Sequence, residues 1–191
     1  MLNLFEETRM VQPTLEQLAG KLQVSPAMLA DFYPDLETPT LTVVQETLTL
    51  ISDSCVRWLV QADQDQPLEQ ALALARGFLD WALENPEQLR LLVDPRVLHL
   101  ADRPEITRQI LALFRLLDKI LTRARDMGHL RPGVDPALTV LSGFSFVYGL
   151  ARVADFNPLA RFVAENADQG GDFNAVLFQA LDNYVDNLRP Q

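Results

Sequence analysis

The sequence predicts an all-α fold, and three observations lead to this prediction. Apolar residues recur at steps of three and four through most of the 191 residues, as they do in amphipathic helices. Prolines stand where several of these segments begin, at positions that tolerate the missing backbone N–H. No segment alternates between apolar and polar residues as a half-buried strand would.

The first two predicted helices are short and joined by a tight turn. Thr14 is a suitable N-cap for the first helix, which extends to about Leu22. Ser25 and Pro26 fit the cap and the first position of the second helix, which ends at Pro34. This arrangement is typical of a helix-turn-helix.

Apolar stripes and prolines define the next three helices. Residues 38–62 carry an apolar stripe and lead into a polar loop. Pro67 opens a second amphipathic helix. The pair Asn85-Pro86 interrupts that helix, and a short helix follows through residue 92.

A long amphipathic helix is predicted to begin at Pro104 and to end at Gly128. Glycine is the usual C-cap residue, because it adopts the left-handed conformation without a steric penalty. Arg123 and Arg125 in the last turns complement the helix dipole.

Two further helices complete the prediction. Asp135 suits the N-cap of a helix over residues 136–154. Residues 157–171 are predicted to form a long connection, and a last helix covers residues 172–188.

The composition excludes several function classes. The chain has one cysteine and can form no intramolecular disulfide, so we expect a reducing compartment. This residue, Cys55, lies on an apolar stripe, so we predict an inert buried thiol. No run of 18 apolar residues and no basic leader occurs, so we expect a cytoplasmic protein without a membrane partner. The sequence shows no nucleophile–base pair, phosphate loop or metal-ligand cluster. It therefore predicts a protein that is not an enzyme and uses no cofactor and no metal.

Residues 14–34 resemble the helix-turn-helix of the tetracycline-repressor (TetR) family of transcriptional regulators. The residues in register with the family pattern, without a gap, are Thr14, Leu18, Ala19, Val24, Ser25, Leu29, Tyr33 and Pro34. Later segments over residues 78–86 and 143–151 also look like stretches common in these regulators. Gln23 replaces the family's turn glycine, so it must adopt a positive φ or change the turn.

The resemblance implies a TetR-like fold with two domains. Residues 1–38 would form the helix-turn-helix domain, with a truncated first helix, and residues 39–191 a helical domain for ligand binding and dimerisation. It also implies a homodimeric transcriptional regulator that responds to a small apolar effector.

The family's DNA-contacting positions carry unsuitable residues in this chain. By resemblance, these positions are Thr14, Ser25, Pro26, Ala27, Met28, Ala30, Asp31 and Leu36. Pro26, Ala30 and Asp31 replace residues that are usually basic, polar or tyrosine, and Leu36 replaces a lysine. Residues 1–50 hold two basic and seven acidic residues, a net charge of −5 within a chain of net charge −10. DNA binding needs cations against phosphates, so we predict that it is weak or lost.

Two sets of apolar residues are assigned to the C-terminal domain. An effector pocket between bundle helices would be mostly apolar, and its candidate lining residues are Trp58, Phe78, Trp81, Phe114, Phe144 and Tyr148. By resemblance, the last two helices would form a four-helix bundle with a second copy, through Val140, Val147, Ala151, Leu177, Leu181 and Tyr184. Packing inside one protomer is the alternative for both sets; we favour the dimer for the second set and expect some of the six aromatic residues to line a cavity.

Two functions remain open at the level of sequence. The first is a TetR-like regulator that binds DNA. The second is a TetR-fold module that binds a ligand or a protein partner and no longer contacts DNA. Arg57 and Arg76 could anchor an anionic ligand, although the commoner outcome is an apolar stem packed along the surface with the charge in water, or a surface ion pair.

Overall fold

The computed structural model of the chain describes residues 15–32, 37–94, 97, 99–154, 156–166 and 172–190. Within these ranges the regular elements are helices, and no strand occurs. The elements are α1 (Leu15–Leu22), α2 (Pro26–Phe32), α3 (Glu37–Leu59), α4 (Pro67–Glu84), α5 (Pro86–Leu92), a 3-10 helix (His99–Asp102), α6 (Pro104–Asp126), α7 (Pro136–Val153), α8 (Asn157–Asn166) and α9 (Phe173–Asp186). The all-α prediction is confirmed.

Part of one predicted connection is a helix. Residues 157–166 form α8, which packs against α9. The prediction treated the pair Asn157-Pro158 as a break, which was wrong. A proline in the first turn of a helix loses no hydrogen bond and already has a helical φ, so the pair begins α8.

Caps fix the beginnings of two helices where the sequence predicts them. The Ser25 Oγ accepts the Met28 N–H at 3.1 Å, and α2 begins at Pro26. The Asp135 Oδ1 accepts the Leu138 N–H at 2.9 Å at the start of α7. The predicted cap Thr14 lies outside the described residues.

Gln23 ends α1 in the left-handed conformation, with a φ of 56°. The Val24 N–H donates to the Ala19 carbonyl at 3.0 Å, and the Gln23 N–H donates to the Gly20 carbonyl at 3.3 Å. These two bonds define a Schellman motif with glutamine at the position that favours glycine. Of the two alternatives that the sequence left for this turn, the chain adopts the positive φ.

The end of α6 has the same motif with the expected residue. Gly128 has a φ of 74°, and its N–H donates to the Arg125 carbonyl at 3.0 Å. The His129 N–H donates to the Ala124 carbonyl at 2.8 Å. Gly128 is therefore the C-cap that the sequence predicts.

The chain divides into two compact units. The first lies within residues 1–49 and 87–108, and the second within residues 50–86 and 109–191. In the first unit α1 packs against α2, and Ala19 and Leu29 are buried. In the second unit α4 packs against both α7 and α9. The most deeply buried side chains of this unit include Leu68, Leu79, Leu121 and Leu181.

Gly77 allows α4 to approach α3 closely within the second unit. A Cβ atom at this position would lie 2.7 Å from the Cys55 Cα and 2.8 Å from the Ser54 carbonyl oxygen. Both neighbours are backbone atoms, so a side chain on residue 77 would push the two helices apart.

Ion pairs bind α4 to the C-terminal segment. Arg76 pairs with Asp182 of α9 at 2.6 Å, and Glu69 pairs with Arg189. The other arginine considered as a ligand anchor, Arg57, donates a hydrogen bond within α3, to the Ser54 Oγ at 3.2 Å. Arg76 is thus engaged in a structural pair, which is the commoner outcome that the sequence allowed for it.

Cys55 is a buried thiol. Its side chain is 4% exposed, and its Sγ donates to the Leu74 carbonyl at 3.4 Å. Burial raises the pKa of this thiol to about 12. At neutral pH Cys55 is therefore protonated and unreactive, as the sequence predicts.

Candidate functional site

Five of the six aromatic residues predicted to line a pocket form one connected group in the second unit. We call Phe78, Trp81, Phe114, Phe144 and Tyr148 the ring cluster. Phe144 is its centre, with ring centroids 5.1 Å from Phe114, 5.8 Å from Phe78 and 6.1 Å from Tyr148. Phe78 in turn lies 6.1 Å from Trp81. The cluster therefore joins side chains from α4, α6 and α7.

The ring cluster is only partly closed. Phe144 is 37% exposed, and Phe78, Phe114 and Tyr148 are half-buried, whereas Trp81 is 3% exposed. These partly exposed aromatic residues leave apolar area open next to a buried indole.

Trp81 also carries an unused polar group. Its indole Nε1 has no hydrogen-bond acceptor among the described residues. The ring cluster thus combines an apolar surface with one buried donor.

Trp58 belongs to a different pair. Its ring stacks on Phe178 of α9 with centroids 6.2 Å apart, and its Nε1 donates to the Asp80 Oδ2 at 3.2 Å. Sequence patterns did not indicate Phe178 or Asp80 as partners, because both contacts join residues far apart in the chain. This geometry ties α3 to α4 and α9, so we leave Trp58 out of the proposed pocket.

The residues predicted for a dimer interface separate into two groups. Val147, Ala151, Leu177 and Leu181 are between 1% and 8% exposed, so they pack inside one protomer. Val140 and Tyr184 are half-buried. Side chains that are already buried can offer a partner little area, so the first four hold α7 and α9 within the protomer.

Tyr184 joins α9 to α7. Its ring stacks on Phe146 at 4.7 Å, and its hydroxyl lies 2.8 Å from the Ser142 Oγ. Gly143 lies beneath the ring, where a Cβ atom would be 3.7 Å from the Tyr184 Cε1. Phe146 and Ser142 were not among the predicted residues.

The outer face of α7 is apolar and accessible. Leu138 is 67% exposed and Leu141 is 64% exposed. By length and composition, α7 is the one helix within the described ranges that could cross a membrane, yet only 22% of its residues are buried. It also contains Arg152 and three hydroxyl residues besides its tyrosine.

A separate groove of about 550 Å³ lies at the turn between α6 and α7. Residues 128 and 130–136 form most of its wall, with Arg125 and Pro190. Arg125, Arg131 and Asp135 bring charged residues to this wall, and no ring-cluster residue borders it. Charged walls do not suit an apolar molecule, so the ring cluster is the better candidate for such a ligand.

α2, which the sequence resemblance assigns to DNA reading, presents small and apolar side chains. The exposed residues of α2 include Pro26, Ala27, Met28 and Ala30, and Met28 is 53% exposed. None of these four side chains can donate a hydrogen bond to a base or a phosphate. Asp31 belongs to α2, but its side chain, together with Thr14 and Leu36, lies outside the described part of the chain.

The family described as "Tetracyclin repressor-like, C-terminal domain" matches residues 71–178, which is more than half of the chain. The chain therefore belongs to the TetR family. No curated protein sequence matches it.

Solved structures share this fold at low sequence identity. A protein of unknown function from a Rhodococcus species is 21% identical with a TM-score of 0.71, covering 98% of this chain and 91% of its own. The TetR family transcriptional regulator PfmR from Thermus thermophilus is 20% identical with a TM-score of 0.70, covering 97% and 94%. The ketosteroid transcriptional regulator KstR2 of Mycobacterium tuberculosis is 17% identical with a TM-score of 0.66, covering 100% and 91%.

Proposed function

We propose that this chain is a homodimeric TetR-family transcriptional regulator that binds a small apolar effector and contacts DNA only weakly. Residues 1–38 would form the DNA-reading domain, and residues 39–191 the effector and dimerisation domain. Such a regulator acts in the cytoplasm. The observation that carries the proposal is the ring cluster, in a chain that belongs to a family of regulators.

The effector site is proposed at the ring cluster. Its accessible rings belong to three helices, so a bound molecule would contact all three and favour one arrangement of them. A ligand shifts a conformational equilibrium only through such differential contacts.

Binding of tetralin, a small apolar bicyclic molecule, tests this site by titration calorimetry. Phe144 contacts three other rings, so Phe144→Ala should weaken tetralin binding about tenfold through lost apolar contact. Phe162→Ala is the matched control, because Phe162 is an exposed phenylalanine of α8 outside the cluster. Equal affinities in the two variants would overturn the site.

The homodimer is proposed to form through the outer face of α7. Leu138 and Leu141 leave apolar area open that a second copy would cover in an isologous contact. Val140 and Tyr184 remain candidates at the edge of this face. A second copy is the occupant we favour, because a soluble helix with this much open apolar surface is otherwise prone to aggregate.

Weak DNA contact is proposed from charge and side-chain chemistry. The first fifty residues carry a net charge of −5, and α2 exposes Pro26, Ala27, Met28 and Ala30. Affinity for a duplex depends on cations that displace counterions, so both features lower it and flatten its salt dependence.

Fluorescence anisotropy with duplexes from upstream of the gene tests this proposal between about 50 and 200 mM salt. We expect weak binding with a shallow salt slope. Asp31→Lys should strengthen binding and steepen the slope, because residue 31 occupies a family contact position. Glu46→Lys makes the same charge change on an exposed site of α3 and should have a smaller effect. Tight, salt-sensitive binding by the unmodified protein would contradict weak DNA contact.

A second candidate function is a ligand-binding module that docks on a protein instead of DNA. The observation that favours it is the exposed apolar surface of α2, around Met28, within an acidic segment. A basic partner with an apolar contact would fit this surface. No duplex binding by the protein or by Asp31→Lys, even at the lowest salt, would favour this second function.

A further inference from the structure

Trp81 combines deep burial with an unused hydrogen-bond donor. Its side chain is 3% exposed, and its Nε1 has no acceptor among the described residues. An unpaired donor in the protein interior costs free energy, and the N–H of a buried tryptophan usually has a partner. Packing alone therefore does not account for an indole at this position, where a phenylalanine would avoid the cost.

The side chain of Asn85, which directly follows α4, serves a different atom of Trp81. The Asn85 Nδ2 donates to the Trp81 backbone carbonyl at 2.8 Å, and the Asn85 backbone N–H donates to the same oxygen at 2.9 Å. Asn85 thus caps the end of the helix and does not accept the indole N–H.

The other tryptophan of the chain shows the contrasting case. The Trp58 Nε1 donates to the Asp80 Oδ2 at 3.2 Å. One indole is thus satisfied by the protein, whereas the other finds no acceptor in the part of the chain that the structure describes. Since the chain has two tryptophans, each can serve as the control for the other.

The tryptophan that carries this donor is a member of the ring cluster. Trp81 lies 6.1 Å from Phe78, and Phe78 lies 5.8 Å from the partly exposed Phe144. Ligand sites of this kind are mostly apolar, with a few polar groups that orient the ligand and select it.

We propose that the molecule bound at the ring cluster is apolar but carries an oxygen acceptor, such as a carbonyl, that takes the N–H of Trp81. This inference rests on the proposed effector site and adds the chemical class of the ligand. A site with an unpaired buried donor discriminates against ligands that have no acceptor, because binding such a ligand leaves the donor buried and unpaired.

Two probes of nearly equal shape test the inference by titration calorimetry on the full chain. Tetralin has no oxygen, and 1-tetralone adds one carbonyl to the same bicyclic frame. Each is titrated into the unmodified protein, Trp81→Phe and Trp58→Phe. For each protein we take the ratio of its affinity for 1-tetralone to its affinity for tetralin. The difference in hydrophobicity between the probes is the same for every protein, so it cancels when these ratios are compared, as in a double-mutant cycle.

Trp81→Phe should reduce the affinity for 1-tetralone about tenfold more than the affinity for tetralin, which corresponds to about 1.4 kcal/mol of coupling. Trp58→Phe should leave the ratio unchanged. An unchanged ratio in Trp81→Phe would overturn this inference while the effector site stands. If neither probe binds the unmodified protein, the effector site fails and this inference fails with it.

A spectroscopic measurement covers the case in which Trp81→Phe does not fold. In Trp58→Phe labelled with ¹⁵N-tryptophan, the single indole N–H resonance belongs to Trp81. 1-Tetralone should move this proton resonance downfield relative to tetralin, because a new hydrogen bond deshields the proton. Equal shifts with the two probes would contradict the proposed bond.

Discussion

At the scale of single residues, Gln23 and Gly128 occupy the same position of the same motif. Both have a positive φ, of 56° and 74°, and both follow helices that end with the same pair of backbone hydrogen bonds. A side chain with a Cβ atom is strained in this conformation, whereas glycine is not. The turn of the helix-turn-helix is therefore less stable than it would be with the family's glycine.

Gln23→Gly should stabilise the α1–α2 pair by about 1 kcal/mol, because it removes this strain. Exchange of the Val24 amide, which is bonded to the Ala19 carbonyl, should slow about fivefold. Gln23→Ala keeps the strain and should leave the rate unchanged. In Gly128→Ala the new Cβ atom meets no atom within 4 Å. Because the residue keeps a positive φ, the change should still lower the free energy of unfolding of the second unit by about 1 kcal/mol. A Gln23→Gly protein that exchanges as fast as the unmodified one would contradict the account.

Cys55 predicts a dependence of stability on pH. Its pKa is raised to about 12 by burial, from an ordinary value of 9.0. Below pH 9 the thiol is protonated in both the folded and the unfolded chain. Between pH 9 and pH 12 the unfolded chain releases the proton and the folded chain keeps it, so the free energy of unfolding should fall as the pH rises.

The measurement is the urea midpoint of the unmodified protein and of Cys55→Ala at about pH 8 and about pH 10.5, on either side of the ordinary thiol pKa. Other groups titrate in both proteins, so the difference between the two midpoints isolates the thiol. The advantage of the unmodified protein should shrink at the higher pH. A constant difference would show that the folded thiol ionises as readily as the unfolded one.

At the scale of helices, the close approach of α3 and α4 depends on Gly77. A Cβ atom there would lie 2.7 Å from the Cys55 Cα and 2.8 Å from the Ser54 carbonyl oxygen, and these backbone atoms cannot rotate away. Gly77→Ala should therefore cost about 3 kcal/mol and lower the melting temperature by roughly 10 °C.

Gly149→Ala is the control for helix propensity within the second unit. Gly149 lies in α7, and a Cβ atom there meets no atom within 4 Å of it in the protomer. This change should leave the protomer as stable as before or raise its stability by up to about 1 kcal/mol. If the Gly77→Ala protein has the same melting temperature as the unmodified protein, the two helices can separate with little loss of free energy.

Local chemistry accounts for the helix boundaries that the sequence predicts. Pro67, Pro86 and Pro136 open α4, α5 and α7, and Gly128 follows α6 as a C-cap, because these effects act within one turn. The segment over α8 was assigned to a connection, since the same Asn-Pro signal is compatible with a break or a start. Periodicity alone does not separate the two.

Contacts between distant residues account for what the sequence could not predict in the candidate site. Aromatic type and helical spacing selected the five residues of the ring cluster, but the same criteria also selected Trp58, which stacks on Phe178. The unpaired donor of Trp81 depends on where every neighbouring acceptor lies. Four of the predicted interface residues are buried within the protomer and two are half-buried. The sequence could not separate these groups, because an apolar stripe does not show whether it packs against the same chain or against a second copy.

At the scale of the whole molecule, the outer face of α7 should determine the oligomeric state. Leu138 and Leu141 lie one turn apart and are 67% and 64% exposed. Replacing both by glutamate would place uncompensated carboxylates in the proposed interface and weaken association by roughly a hundredfold or more. Sedimentation velocity at micromolar concentration should show a dimer for the unmodified protein and a monomer for the double variant.

The control for this experiment is Val60→Glu, which also places a carboxylate on an exposed apolar residue of the second unit. Val60 is 74% exposed and follows α3 directly, away from α7 in the chain. The Val60→Glu protein should remain a dimer. The double variant should keep its helical content and its affinity for tetralin, since Leu138 and Leu141 are not members of the ring cluster. A double variant that still sediments as a dimer would place the interface elsewhere on the chain, and loss of tetralin binding with the dimer would mean that a second copy completes the site.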